Sequence, residues 1–158
     1  MMRKSDYHAQ RLALAIPALL LGGAYVSQYG FDLYPCEMCW WQRWPHFAAL
    51  AFAVASYAMP PQRRLLVALA AVAILVSGLI GVFHAGVEYD LWEGITACAL
   101  PAAEPGGDVL DAIFAQPIIS CDQPAWTLFG ISLAGFNAIF SIGGAFVIFA
   151  LLKRKGKA

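Results

Sequence analysis

The sequence predicts an all-α membrane protein: a bundle of four transmembrane helices forming one integral membrane domain over residues 1–158. Hydrophobic residues make up 61% of the chain and charged residues 13%. The mean hydropathy of +0.66 is far from that of a soluble globular domain. The apolar residues are gathered into four runs, each near the length that crosses a bilayer. These observations exclude a soluble enzyme, and the lipid bilayer rather than a nucleic acid is the expected partner.

The four apolar runs cover residues 12–29, 44–59, 65–86 and 125–152. A spanning helix needs about 20 apolar residues, and the second run reaches that length only if Trp40 and Trp41 are counted. Pro60 and Pro61 break the chain after the second run, and further prolines interrupt residues 87–124. Residues 30–43 and 87–124 are therefore expected to form two loops on one side of the membrane.

The orientation follows from the basic residues. Nine of the ten lie outside these two loops: Arg3, Lys4, Arg11, Arg63, Arg64, Lys153, Arg154, Lys155 and Lys157. Basic residues mark the cytoplasmic side of a membrane protein. Both termini and the turn after the second run are thus expected in the cytoplasm, with the two long loops outside.

An alternative for the first run is a cleaved signal peptide over residues 1–24. Arg3 and Lys4 precede an apolar stretch that ends in small residues, as signal peptides do. Cleavage would leave three spans without disturbing the cysteines, and the intact mass of the protein would distinguish the two interpretations.

A short amphipathic helix is predicted within the second loop. Asp108 can cap a helix that runs to Gln116. Its apolar face consists of Val109, Leu110, Ile113 and Phe114. We expect this face to lie on the membrane surface.

All four cysteines lie in the two outer loops, where disulfides can form. Cys98 and Cys121 are separated by 22 residues, and as a structural bridge they would stabilise the fold by about 3–4 kcal/mol. Cys36 and Cys39 close too small a loop for that purpose, and such bridges are often strained and reducible. The spacing argues against a zinc site, because only one pair forms a Cys-x-x-Cys motif, and we expect no metal.

Arg43 is the one basic residue that lies within the two outer loops, and it follows Cys39 by four positions. On a helix the two side chains would share a face. At about 4 Å and an effective dielectric near 20, an attraction of about 4 kcal/mol is enough to lower a thiol pKa by up to about 3 units before desolvation opposes it. We expect Arg43 to stabilise a thiolate from a position at the membrane interface rather than in the packed bundle. The alternative is a snorkelling anchor that only orients the helix.

Three segments together resemble the bacterial disulfide bond formation protein B (DsbB) family. They are residues 35–45 (PCEMCWWQRWP), residues 83–88 (FHAGVE), and residues 121–137, which begin CDQPAW and continue through FGISLAGFN. The resemblance implies a four-helix protein of the bacterial inner membrane with periplasmic cysteines. It also implies a quinone reductase, using ubiquinone or menaquinone, that reoxidises a periplasmic thioredoxin-like, DsbA-like dithiol oxidase.

The resemblance also assigns roles to the cysteines. Cys98 and Cys121 would form a shuttle disulfide, with Cys98 engaging the partner and Cys121 exchanging with Cys36. Cys39 would face the quinone, and Arg43 would stabilise the quinone oxygen that gains negative charge. The second loop looks shorter than in some members of the family, which leaves open how Cys98 reaches the partner.

Residues outside the cysteine motif also carry predictions. His84, near the outer end of the third run, is either a quinone ligand or an interfacial histidine bonded to backbone or water. We expect His46 to be structural and Glu88 to be a solvated loop acid. Asn137 should form a hydrogen bond between helices. Small residues in the fourth run are expected to allow close helix packing: Gly135, Gly143 and Gly144.

Two rival functions remain. A vitamin K epoxide reductase-like enzyme also combines four helices, quinone chemistry and two cysteine pairs, but there the loop pair precedes the Cys-x-x-Cys motif, and here it follows. A non-enzymatic membrane subunit with structural disulfides would leave the position of Arg43 unexplained.

Overall fold

The computed structural model describes residues 3–96 and 119–154, and within these ranges the chain is mostly helical. The elements are α1 (Lys4–Gly30), α2 (Glu37–Ala58), a single 3-10 turn (Pro60–Gln62), α3 (Arg63–Glu88), β1 (Thr127–Leu128), β2 (Ile131–Ser132) and α4 (Leu133–Lys153). The helix predicted over residues 108–116 and Cys98 lie outside the described residues.

The four helices form a bundle in which α3 packs against both α2 and α4, and α1 packs against α4 and α2. The core is built largely from alanine, with Val67, Ile74 and Ile148 as its larger members. Small residues let helix backbones approach closely, which is how helices associate in a bilayer. Dispersion and close packing therefore hold this bundle together.

Glycines mark two close helix crossings. A Cβ atom on Gly78 of α3 would lie 2.7 Å from Ile142 Cγ1, and one on Gly144 of α4 would lie 2.4 Å from Ile16 Cδ1. The packing prediction is confirmed for Gly144. It is wrong for Gly143, where an added Cβ would meet nothing within 4 Å.

Within residues 3–96 and 119–154, three helical segments are long and apolar enough to cross a membrane: Lys4–Gly30, Pro60–Glu88 and Leu133–Lys153. Large apolar side chains on these segments are exposed, among them Leu19, Leu79 and Phe146, as lipid-facing residues would be. Helix α2 has 22 residues, but polar residues in its first half lower its hydropathy. It begins before Trp40, so Cys39 and Arg43 lie on one helix, as their shared face requires.

One end of the bundle is tied by a buried carboxylate. Asp6, 7% exposed, pairs with Arg3 at 3.1 Å and with Arg64 at 3.0 Å. Arg3 Nη1 also donates to the carbonyl oxygen of Arg154 at 2.6 Å. These contacts bring the starts of α1 and α3 together with the end of α4.

The fourth apolar run is not helical from its start. Residues 127–132 form an antiparallel hairpin, and α4 begins only at Leu133, where Ser132 Oγ caps the helix by accepting from the Gly135 amide at 3.1 Å. Phe129 and Gly130 have positive φ angles of 53° and 77°, as a tight turn requires. The Tyr89 hydroxyl holds the hairpin by donating to the Gly130 carbonyl at 2.8 Å.

Candidate active site

The paired cysteines begin helix α2. Cys36 is the N-cap, and its sulfur accepts a hydrogen bond from the Cys39 backbone amide at 3.3 Å. The Cys36 thiol in turn donates to Cys39 Sγ across 3.0 Å. The residue spacing and the start of the helix therefore bring the two sulfur atoms into contact at a helix N-terminus, where negative charge is favoured.

The hydrogen bond between the two thiols shifts their pKa values in opposite directions. The hydrogen bond from Cys36 holds the pKa of the Cys39 thiol below its usual value, against the opposing effect of burial. The same hydrogen bond is the main reason that the pKa of Cys36 is raised. Cys36 and Cys39 both precede the apolar run that begins at Trp44, so they lie outside the predicted second span. Of the two cysteines, Cys39 is the one whose thiolate form these contacts favour.

Arg43 lies within the bundle rather than at its surface. Its side chain donates to Gln28 Oε1 at 2.7 Å and to the Ala24 carbonyl at 3.4 Å. The guanidinium carbon lies 4.9 Å from the ring centres of both Tyr25 and Trp40. At 6% exposure it is packed inside the bundle, so the expectation that Arg43 lies outside the packed bundle is wrong. Its charge lowers the pKa of Cys39, although less than the hydrogen bond from Cys36 does.

A cavity of about 240 Å³ lies beside Cys39. Its walls come from α1, α2, the start of α4 and the segment before α2, and most of them are apolar. Its polar lining consists of Ser27, Tyr34, Cys39, Gln42, Arg43, His46 and Asn137. Leu19 also lines the cavity and is 75% exposed, so the rim reaches the lipid-facing side of the bundle.

His84 is positioned beside Cys36. Its Nε2 lies 3.5 Å from Cys36 Sγ and 3.7 Å from Glu88 Oε1, and its Nδ1 lies 2.8 Å from Gln42 Nε2. Cys121 packs against a buried apolar cluster that includes Cys36 and Val87. The second loop thus returns one of its cysteines to the first pair.

The sequence of residues 8–151 matches the family described as disulfide bond formation protein DsbB. The chain belongs to the DsbB family. It is also 25% identical to an uncharacterized protein of Rickettsia prowazekii (strain Madrid E) over 146 residues, which cover 89% of this chain and 85% of that protein. No solved structure matches it. Family membership implies a disulfide oxidoreductase role in disulfide bond formation, in a membrane protein.

Among the residues predicted for this DsbB-family site, the structure brings Cys36, Cys39 and Cys121 together and places Arg43 beside the cavity. His84 contacts Cys36, and the cavity lining among the described residues does not include it. The prediction for Glu88 is wrong: it ends α3, its side chain is 6% exposed, and the Ser132 hydroxyl donates to it.

Two cavity residues were missed from the sequence. Gln42 was not considered, and His46 was assigned a structural role. The signal was present, because positions 39, 42, 43 and 46 follow the i, i+3, i+4, i+7 spacing of one helix face. The predicted hydrogen bond of Asn137 between helices is confirmed, since its Nδ2 donates to Gln42 Oε1 at 2.7 Å.

The donor atoms of Cys36, Cys39 and His84 all lie within 4.8 Å of one another. Such a cluster has the ligand chemistry of a zinc site. A metal would require His84 Nε2 without its proton, and Gln42 opposes that state because its amide nitrogen faces Nδ1. The neutral ring then carries its proton on Nε2.

Proposed function

We propose that this protein is a quinone-dependent thiol oxidase that reoxidises a periplasmic, DsbA-like dithiol oxidase. The carrying observation is the cavity itself, which places the Cys39 sulfur and the Arg43 guanidinium on the wall of one mainly apolar space. Family membership supports the thiol chemistry, and the cavity supports a quinone as the electron acceptor.

The residues of the cavity fit a quinone head group. A flat, apolar ring with carbonyl oxygens needs apolar walls and a few donors. The walls here are mainly apolar, and Arg43 supplies a fixed cation with N–H donors. The rim at Leu19 gives a lipid-soluble molecule a route from the bilayer.

A bound quinone supplies an acceptor for two electrons and two protons. The reduced pair of Cys36 and Cys39 loses the same number of each as its S–S bond forms. Cys39 is the sulfur that faces the cavity, and Arg43 stabilises negative charge there. Cys36 remains on the side of Cys121, from which electrons arrive.

The second cysteine pair is the proposed link to the partner. Cys98 would form the mixed disulfide with the soluble oxidase, and Cys121 would exchange with Cys36. The contact of Cys121 with the Cys36 group supports the second step.

We also propose four membrane spans in the bacterial inner membrane, with both termini cytoplasmic. The apolar half of α2 would be the fourth span, and Asp6 and the arginines around it would lie at the cytoplasmic end.

Quinol formation tests this function. The purified protein is reduced, freed of reductant and mixed with ubiquinone or menaquinone, and quinol is followed by absorbance. We expect rapid reduction that is abolished in Cys39→Ser and retained for one turnover in Cys121→Ser. Equal turnover in Cys39→Ser would contradict the assignment. Slow reduction that is independent of the cysteines would favour a membrane subunit with structural disulfides.

A further inference from the structure

A chain of hydrogen-bonded side chains runs through the bundle from His46 to the paired thiols. His46 Nε2 lies 2.9 Å from Asn137 Oδ1, and Asn137 Nδ2 donates to Gln42 Oε1 at 2.7 Å. Gln42 Nε2 lies 2.8 Å from His84 Nδ1, and His84 Nε2 lies 3.5 Å from Cys36 Sγ. The chain ends at Cys39, which accepts from Cys36.

Two backbone carbonyls set the direction of this chain. Gln42 Nε2 lies 3.2 Å from the Met38 carbonyl oxygen, and Asn137 Nδ2 lies 3.2 Å from that of Ser77. A carbonyl oxygen only accepts, so the amide atoms facing these carbonyls must be the nitrogens. Turning either amide over would place two acceptors against each other.

The direction decides which nitrogen of His84 carries the proton. Because Gln42 donates to Nδ1, the neutral ring keeps its hydrogen on Nε2. That hydrogen lies on the side of Cys36 Sγ, which it shares with Glu88 Oε1 and the Cys121 carbonyl as acceptors, so Nε2 is a donor there and cannot take the Cys36 proton. The Cys36 proton is then left to donate to Cys39. Aligned hydrogen bonds of this kind strengthen one another.

Other groups also act on the thiols. On α3, Glu88 opposes the Cys39 thiolate by charge, while Arg43 on α2 favours it. Cys121 adds a contact to Cys36 from the second loop. The backbone carbonyl of Cys121 also accepts a hydrogen bond from the His84 ring, so it acts together with Gln42 in holding the ring.

We propose that Gln42 is a positioning residue that holds His84 as a hydrogen-bond donor to Cys36 and so reserves the Cys36 proton for the Cys39 thiolate. The inference deepens the proposed function, because it explains how Cys39 is kept reactive. It concerns the thiols alone and can be tested with neither quinone nor partner present.

The first measurement is the tautomer of His84. In protein labelled with ¹⁵N-histidine, the ring nitrogens of His84 report which one is protonated, and His84→Asn identifies its signals. We expect the proton on Nε2 in the unaltered protein. In Gln42→Glu, a carboxylate that can only accept should move the proton to Nδ1. Finding the proton on Nδ1 in the unaltered protein would overturn the proposal.

The second measurement is the alkylation rate of Cys39 against pH in the reduced Cys98→Ser/Cys121→Ser protein, with Cys36 and Cys39 separated by fragment-ion mass spectrometry. Gln42→Met removes the donor without adding charge, and we expect Cys39 alkylation at neutral pH to fall by about tenfold. Gln10→Met is the matched control, because Gln10 is also a buried glutamine, 1% exposed, and its amide donates to Ser56 Oγ at 2.9 Å rather than to a histidine.

Together, the two measurements either support or reject the positioning role of Gln42. An unchanged Cys39 profile in Gln42→Met, or an equal fall in Gln10→Met, would reject the positioning role. If Gln42→Met does not fold, the isosteric Gln42→Glu protein still decides the tautomer. A positive result with no quinol formation would leave Gln42 in this role and reject the proposed acceptor instead.

Discussion

Replacing Arg43 with Met should destabilise the bundle as well as weaken the site. The guanidinium donates to Gln28 Oε1 at 2.7 Å and lies over the rings of Tyr25 and Trp40. A hydrogen bond to a charged group contributes about 1.5–3 kcal/mol, and each ring contact about 0.5–1 kcal/mol. Met refills part of the volume, so we expect the free energy of unfolding to fall by about 2–4 kcal/mol.

The assay is unfolding of the purified protein by SDS in mild detergent, followed by tryptophan fluorescence. Arg43→Lys should lose less stability than Arg43→Met, because a point charge survives although the planar fork does not. Arg11→Met serves as the control, since Arg11 is an exposed arginine on α1. A loss no larger than that of Arg11→Met would show that the contacts of Arg43 with α1 contribute nothing to stability.

Three further predictions concern the loop pair, the orientation and the packing. Cys98→Ser should abolish oxidation of the partner yet leave the first cysteine pair oxidisable by quinone, which thiol labelling after quinone addition would show; loss of both reactions would refute separate roles. A cysteine placed at Gln62 should resist a membrane-impermeant thiol reagent in intact spheroplasts, and its modification would reverse the proposed orientation. Gly144→Val should destabilise the bundle by about 1–3 kcal/mol through overpacking against Ile16, whereas Gly143→Val should change the unfolding free energy much less; equal losses in SDS unfolding would contradict the packing argument.

The sequence predicts the helices well because hydropathy and proline are local signals. Pro60 and Pro61 end α2 where the structure turns. The hairpin before α4 was missed because residues 125–132 contain no charged residue and no proline, so they read as a continuation of the apolar run that follows. What distinguishes them is a tertiary contact, the Tyr89 hydroxyl that bonds the Gly130 carbonyl and the Ser132 amide.

In the candidate site, too, the features set by local sequence were predicted and those set by tertiary contacts were not. The relation of Cys39 to Arg43 follows from spacing along one helix, and it was predicted. The contact of His84 with Cys36 depends on how α3 lies against α2, which periodicity along either helix does not fix. The same is true of Asn137, whose hydrogen-bonding character was predicted but whose partner Gln42 was not.

The hairpin also limits where the second cysteine pair can go. Cys121 precedes Thr127 by six residues, and six residues of fully extended chain reach at most about 20 Å. The Tyr89 hydroxyl holds the hairpin against the end of α3 by hydrogen bonds. The short segment from Cys121 to the hairpin therefore limits how far Cys121 can move from the bundle. A reactant on so short a tether has an effective concentration on the order of millimolar at its target. The proposed exchange between Cys121 and Cys36 would thus be an intramolecular reaction, and its rate should not depend on how much protein the membrane holds.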